Sequence, residues 1–160
     1  MVVIGGYGFF GRRLVERLAL QPEVHVTVAG RSLADAQAWA GQLRLQSQAR
    51  LDAAVLDAMS ADLPRQLERL SPSTVVLASG PFQGQDYRVA RACIATGANY
   101  IDLADARAFV AGIRELDSSA RAAGVFVSSG ASSVPALSSA AVDHLVRDMA
   151  TVRGIDIGIS

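Results

Sequence analysis

The chain has 160 residues, 51% of them hydrophobic, and a formal net charge of zero. That length and composition suit one domain with a full core and exclude a disordered chain; no apolar run approaches the roughly 20 residues of a membrane span, and the scattered charge excludes the basic face of a nucleic-acid binder. Cys93 is the only cysteine, which excludes an internal disulfide, and all 15 basic residues are arginine, which excludes lysine chemistry.

Short apolar strands alternate with helical patterns. Val2–Ile4 is the first strand, followed by a helix over Phe10–Leu20 with Leu14, Val15 and Leu18 on one face. Val24–Gly30 is the second strand, and Ser32 can cap a helix running to about Leu45. Arg50–Asp57 holds the third strand and Ala61–Leu70 a short helix. Ser73–Gly80, apolar on both faces, reads as a strand in the middle of a parallel sheet. A helix over Gln85–Thr96 ends at Gly97, a natural C-terminal stop. A fifth strand spans the NYIDLAD stretch, and one helix covers Arg107–Ala123 before Gly124. Val125–Gly130 is the sixth strand. Ser132 or Ser133 caps a final helix to about Met149, with Pro135 in its first turn. The sum is a doubly wound α/β fold, a parallel sheet of about six strands with helices on both faces. In such a fold ligands bind at the carboxyl ends of the strands.

Gly6, Gly8 and Gly11 fit G-x-G-x-x-G directly between the first strand and the first helix. One glycine makes the tight turn, one lets backbone approach a pyrophosphate, and one allows close packing of helix on strand. The helix N-terminus then offers unpaired N–H groups to phosphates. This is the fingerprint of a dinucleotide-binding Rossmann domain. In NAD-binding versions an acidic residue ends the second strand and holds the ribose 2′-OH. Here that strand ends Gly30-Arg31-Ser32. A guanidinium there suits a 2′-phosphate, which favours NADP over NAD. The other readings are a solvated Arg31 and a Ser32 that serves only as a helix cap. Asp57, closing the third strand, is placed to reach an adenine or else to act as a turn carboxylate. Gly80, Pro81 and Phe82 follow the fourth strand at the crevice where strand order reverses. Phe82 either packs near a nicotinamide or simply fills its own loop.

The glycine loop GGYGFFG, the AGRS strand end and the stretch SGPFQGQDYRVARACIATGANYIDLAD together resemble the NADP-binding domain of the saccharopine dehydrogenase-like family. SGASSVPALSSAAVDHL extends the likeness over nearly the whole chain. The resemblance implies an NAD(P)-dependent oxidoreductase with a separate substrate domain. It implies that Gly6, Gly8, Phe9, Phe10 and Gly11 line the pyrophosphate and that Arg31 and Ser32 meet the 2′-phosphate. Gly80, Pro81 and Phe82 would lie beside the nicotinamide ribose, and Tyr100, Asp102 and Leu103 near the nicotinamide. Ala104-Asp105 stand where the family often continues with a Gly-Glu pair.

Hydride transfer is the implied chemistry, between the nicotinamide and a carbon bound to nitrogen or oxygen. Asp102, Asp105, Tyr87 and Tyr100 are candidate acid–base groups; Asp102 reads equally well as a structural carboxylate. No catalytic residue is assigned, because a second domain is expected to hold the proton relay. His25 and His144 have no ligand-spaced partners, so no metal is expected. Ile155, Ile157 and Ile159 alternate like a new strand. Residues 1–150 are therefore read as the nucleotide-binding domain and 151–160 as the start of a strand leading to an absent substrate domain, a natural terminal edge strand being the other reading. Apolar surface on the last helix and that strand (Val142, Leu145, Val146, Ile155, Ile157) then predicts a homodimer. With no leader pattern, the expected location is the cytoplasm. A non-catalytic NADP(H)-binding redox sensor is the alternative on the same fold.

Overall fold

A computed structural model of the chain describes residues 1–158. Six parallel strands form one sheet in the order β3-β2-β1-β4-β5-β6. They are β1 (Val2–Ile4), β2 (His25–Gly30), β3 (Arg50–Val55), β4 (Thr74–Leu77), β5 (Asn99–Asp102) and β6 (Val127–Ser128). Strand order reverses between β1 and β4, so a crevice opens there at the carboxyl edge. The register sets that edge: Ile4 stands opposite both Ala29 and Leu77, Gly30 opposite Val55, and Leu77 opposite Asp102.

Alternation along the strands divides the core in two. Val3, Val26 and Val28 point to one face, where α1 (Phe9–Leu18) and α2 (Leu33–Leu43) bury Val15, Ala36, Trp39 and Ala40 against them. Val2, Ile4, Val75, Leu77 and Tyr100 point to the other. There α3 (Leu63–Leu70) and α4 (Arg88–Ala95) contribute Leu63, Leu67, Val89 and Cys93. Ser32 caps α2, its hydroxyl oxygen accepting the Asp35 N–H at 3.2 Å. Gly97 takes a φ of +70° after α4, the left-handed stop that its sequence position predicts.

The structure departs from the sequence expectations in the last third. The single helix expected over Arg107–Ala123 is three pieces: α5 (Arg107–Gly112), a 3-10 turn (Ile113–Leu116) and α6 (Asp117–Ala123). Tyr87 packs against Gly112 at the break, where a Cβ would collide with the phenol oxygen. The sixth strand is only Val127–Ser128, because backbone beyond it is drawn toward Asp102. Neither Ser132 nor Ser133 caps the final helix. Val134 is the only residue of the Ser133–Leu137 π-turn with a non-helical backbone, so Pro135 lies in the helical turn that leads into α7 (Ser138–Leu145), as expected. No residue of α7 is buried, so this helix does not cover the sheet.

The terminal strand is not formed in residues 151–158, and Ile159 lies outside the described residues. Leu145, Ile155 and Ile157 are exposed, and Val142 and Val146 are half-buried, along an apolar groove between α7 and the tail.

Burial pushes the Cys93 thiol from its ordinary 9.0 up to about 12. The folded protein therefore holds this proton after the unfolded chain has lost it. Native Cys93 is expected to resist alkylation at pH 8. Its contribution to stability is full below about pH 9 and is lost as pH rises toward about 12. Urea midpoints across that range check this: Cys93→Ala should lose stability with rising pH less steeply than the wild type.

Candidate functional site

The chain leaves β1 through Gly5, whose φ of +80° needs a residue without a side chain. The N–H groups of Gly5 and Gly6 both donate to the Ala29 carbonyl, at 2.8 and 3.1 Å, which ties the loop to the end of β2. Gly8 stands at the N-cap of α1, its own N–H donating to the Gly5 carbonyl at 2.9 Å. Gly11 lies on the same carbonyl so closely that a Cβ would run into it. A Cβ at Gly6 would come within 2.9 Å of the Val3 carbonyl. The G-x-G-x-x-G pattern assigns the tight turn to Gly6. The structure places it at Gly5 instead, and Gly6 and Gly11 are buried packing glycines.

This arrangement leaves a cradle. The first i→i−4 bond of α1 is Arg12 N–H to the Gly8 carbonyl at 2.9 Å. The N–H groups of Phe9, Phe10 and Gly11 come before it and have no partner within the helix. Phe9 and Phe10 are exposed on that turn, at 69% and 61%, with their rings packed edge to face 5.1 Å apart. The amides and the helix dipole together suit an anion.

The cleft of about 420 Å³ beside this turn is lined by Gly5, Tyr7, Gly30, Arg31, Asp57, Gly80 and Pro81, among others. The fold thus brings together residues that are distant in the chain, from the loops after β1, β2, β3 and β4. Arg31 is exposed at its rim, and none of the six ion pairs among the described residues involves it. Asp57 accepts the Met59 N–H at 2.9 Å through one carboxylate oxygen, a turn bond that leaves the other oxygen to the cleft. Gly80 and Pro81 are joined by a cis peptide on the opposite wall.

Two expected site residues lie elsewhere. Phe82 is 6% exposed and packs on Phe109 with ring centroids 5.5 Å apart, so its side chain belongs to the core. Asp102 is fully buried. One of its oxygens accepts three bonds: Ala104 N–H at 3.0 Å, Ser129 Oγ–H at 2.9 Å and Gly130 N–H at 2.9 Å. The other oxygen has no partner. Asp102 is thus a latch joining the ends of β5 and β6.

The remaining acid–base candidates divide similarly. Burial, with the Asp102 charge beside it, holds the Tyr100 phenol proton far above its ordinary range. Tyr87 donates to the Phe109 carbonyl at 2.8 Å, and burial raises its phenol too. Asp105 is exposed after β5.

Sequence reasoning missed Tyr7. Its ring lies on Gly30, where a Cβ would come within 2.5 Å of the ring edge, and its oxygen accepts the Ser32 N–H at 2.9 Å. Glycine at the end of β2 was the available signal: something had to occupy the space of its missing side chain.

The sequence profile of the saccharopine dehydrogenase NADP binding domain matches residues 1–127. The chain belongs to that family. NADP is accordingly the nucleotide of this saccharopine dehydrogenase-like domain, and the glycine cradle and the absence of a carboxylate at the end of β2 fit it. Among curated proteins, none matches the sequence. Saccharopine dehydrogenase (L-Glu forming) from Saccharomyces cerevisiae is similar in structure, with a TM-score of 0.71 and 22% identity over 91% of this chain. The chain spans 30% of the length of that protein. GenD2 from gentamicin A biosynthesis, in complex with NAD, gives a TM-score of 0.56 at 23% identity, covering 92% of this chain and 38% of GenD2. A short-chain dehydrogenase from Sphingobium yanoikuyae in complex with NADPH gives 0.54 at 15%, covering 80% of this chain and 69% of its own. At these identities the likeness is one of fold. Among the described residues no helix is long and apolar enough to cross a membrane.

The latch is testable apart from any ligand. Asp102→Ala leaves three donors without their acceptor and is expected to cost about 3 kcal/mol, at about 1 kcal/mol per bond. Asp102→Asn keeps an oxygen in the same place and should retain most of the stability. Urea denaturation of the two variants checks this, and equal losses would contradict it.

Proposed function

We propose that this chain is the NADP-binding part of an oxidoreductase that exchanges hydride with a carbon bound to nitrogen or oxygen. The observation that carries the reading is Arg31. It is an unpaired, exposed guanidinium at the rim of the cleft, on the strand end where NAD-binding domains place a carboxylate. When bound, the nicotinamide would supply the redox chemistry.

The chain's own residues bind and orient. The amides of Phe9, Phe10 and Gly11 would hold the pyrophosphate, and Arg31 with the Ser32 hydroxyl the 2′-phosphate. Asp57 would border the adenine, and Gly80 and Pro81 the far ribose. Asp102 would act indirectly, by fixing the backbone at the ends of β5 and β6 that borders the nicotinamide end. Two of the acid–base candidates are buried or hydrogen-bonded tyrosines and a third is the latch carboxylate. This supports placing substrate and proton relay on a second domain. The longer chain of the yeast protein supports the same division. The apolar groove along α7 supports self-association or a covering domain there.

Calorimetric titration with NADPH and NADH tests the reading. NADPH is expected to bind the tighter. Arg31→Ala should weaken NADPH about 10- to 100-fold, as expected for a lost hydrogen bond to a charged group, while leaving NADH nearly unchanged. Equal binding of the two nucleotides by the wild type, or an Arg31→Ala variant that keeps the preference, would overturn the 2′-phosphate assignment.

A further inference from the structure

Arg31 reaches the cleft from a backbone corner, and the structure shows what fixes that corner. On one side Gly30 is locked in the sheet: it pairs with Val55, and its carbonyl accepts the Leu56 N–H at 2.9 Å. On the other, the Ser32 hydroxyl caps α2 through the Asp35 N–H. The Ser32 N–H donates to the Tyr7 oxygen at 2.9 Å.

Tyr7 is itself held. Its carbonyl accepts Arg12 Nε–H at 2.8 Å, and the Arg12 guanidinium lies over Trp39 of α2, 4.8 Å from the ring centroid. Its ring covers Gly30, in contact range of the Cα face where any side chain at position 30 would stand. Tyr7 therefore does two things at the strand end that decides between NAD and NADP. It occupies the place of a position-30 side chain, so the ribose-binding carboxylate of an NAD-type site has no room. It also pins the peptide between Arg31 and Ser32 to the glycine loop, so that a guanidinium on a flexible stem starts from a fixed point.

We propose that Tyr7 is a positioning residue that sets the preference for NADP(H) over NAD(H), acting through Arg31. The proposal rests on the assignment of Arg31 to the 2′-phosphate. Fixing the corner reduces the ordering that the Arg31 side chain must undergo on binding, which is where preorganisation gains affinity. The effect belongs to the 2′-phosphate alone. A general role for Tyr7 in the stability of the loop would weaken both nucleotides alike.

The test is a double-mutant cycle on Tyr7→Phe and Arg31→Ala, read as the ratio of the NADH to the NADPH dissociation constants by calorimetry. Tyr7→Phe keeps the ring on Gly30 and removes only the oxygen that holds Ser32, so the fold is retained; a thermal melt accompanies each variant. The expected result is a fall of about five- to tenfold in the ratio for Tyr7→Phe, the size of one lost neutral hydrogen bond. NADH binding falls less than NADPH binding, because the Tyr7 oxygen acts through the corner that carries Arg31; an equal fall of both would overturn the proposal. In the Arg31→Ala background Tyr7→Phe should have no further effect on the ratio. A Tyr7→Phe variant that keeps the wild-type ratio, or that lowers it equally with and without Arg31, overturns the proposal while leaving the Arg31 assignment intact. A wild type that binds both nucleotides equally overturns both.

Discussion

The constraint on which the rest depends is the approach of α1 to the end of β1. Gly11 sits against the Gly5 carbonyl at a distance that no side chain permits. That contact fixes the first turn of α1 at the sheet edge, where the amides of Phe9, Phe10 and Gly11 have no partner within the helix. The positive φ of Gly5 makes the turn short enough for it, and the two bonds to the Ala29 carbonyl fix the loop against β2. An alanine at Gly11 would have to push the helix off the strand. The loss would be felt first in the cradle and then in the packing of Val15 beneath it.

Two further restraints frame the same edge. On the β2 side, Tyr7 and the Ser32 cap hold the corner that carries Arg31. On the β5 side, Asp102 holds the ends of β5 and β6 with three hydrogen bonds to one oxygen. A buried carboxylate is costly unless its oxygens are satisfied, and here one oxygen is satisfied three times and the other not at all. Such a residue is informative about architecture: it gathers backbone that would otherwise leave the sheet. The short β6 is a consequence, since the Gly130 N–H donates to Asp102 instead of extending the ladder.

Much of this was legible in the sequence. The strands at Val2–Ile4 and, within the expected Ser73–Gly80, at Thr74–Leu77 are legible because each is an apolar run that ends toward glycine, and the Ser32 cap because a serine precedes a helical pattern. Local chemistry decided those elements. The errors lie where tertiary contact decides. Gly112 has no special backbone angle; the position is glycine because Tyr87, 25 residues earlier, occupies the space of a side chain. Phe82 reads as a loop aromatic, beside a ligand or filling its own loop, and only the fold shows Phe109 drawing it into the core. Asp102 reads equally as an acid–base or a structural carboxylate at a strand end, and only the fold shows Ser129 and Gly130 closing over it. Ile155 and Ile157 alternate as a strand would, but residues 151–158 form no strand.

The most direct measurement of the central claim is a map of backbone amide chemical shifts during titration with NADPH. The account predicts perturbations concentrated on residues 5–11, 30–32, 57–59 and 79–81, with those of 31 and 32 much reduced when NADH replaces NADPH. Shifts centred instead on α7 and the apolar groove, or identical maps for the two nucleotides, would contradict it.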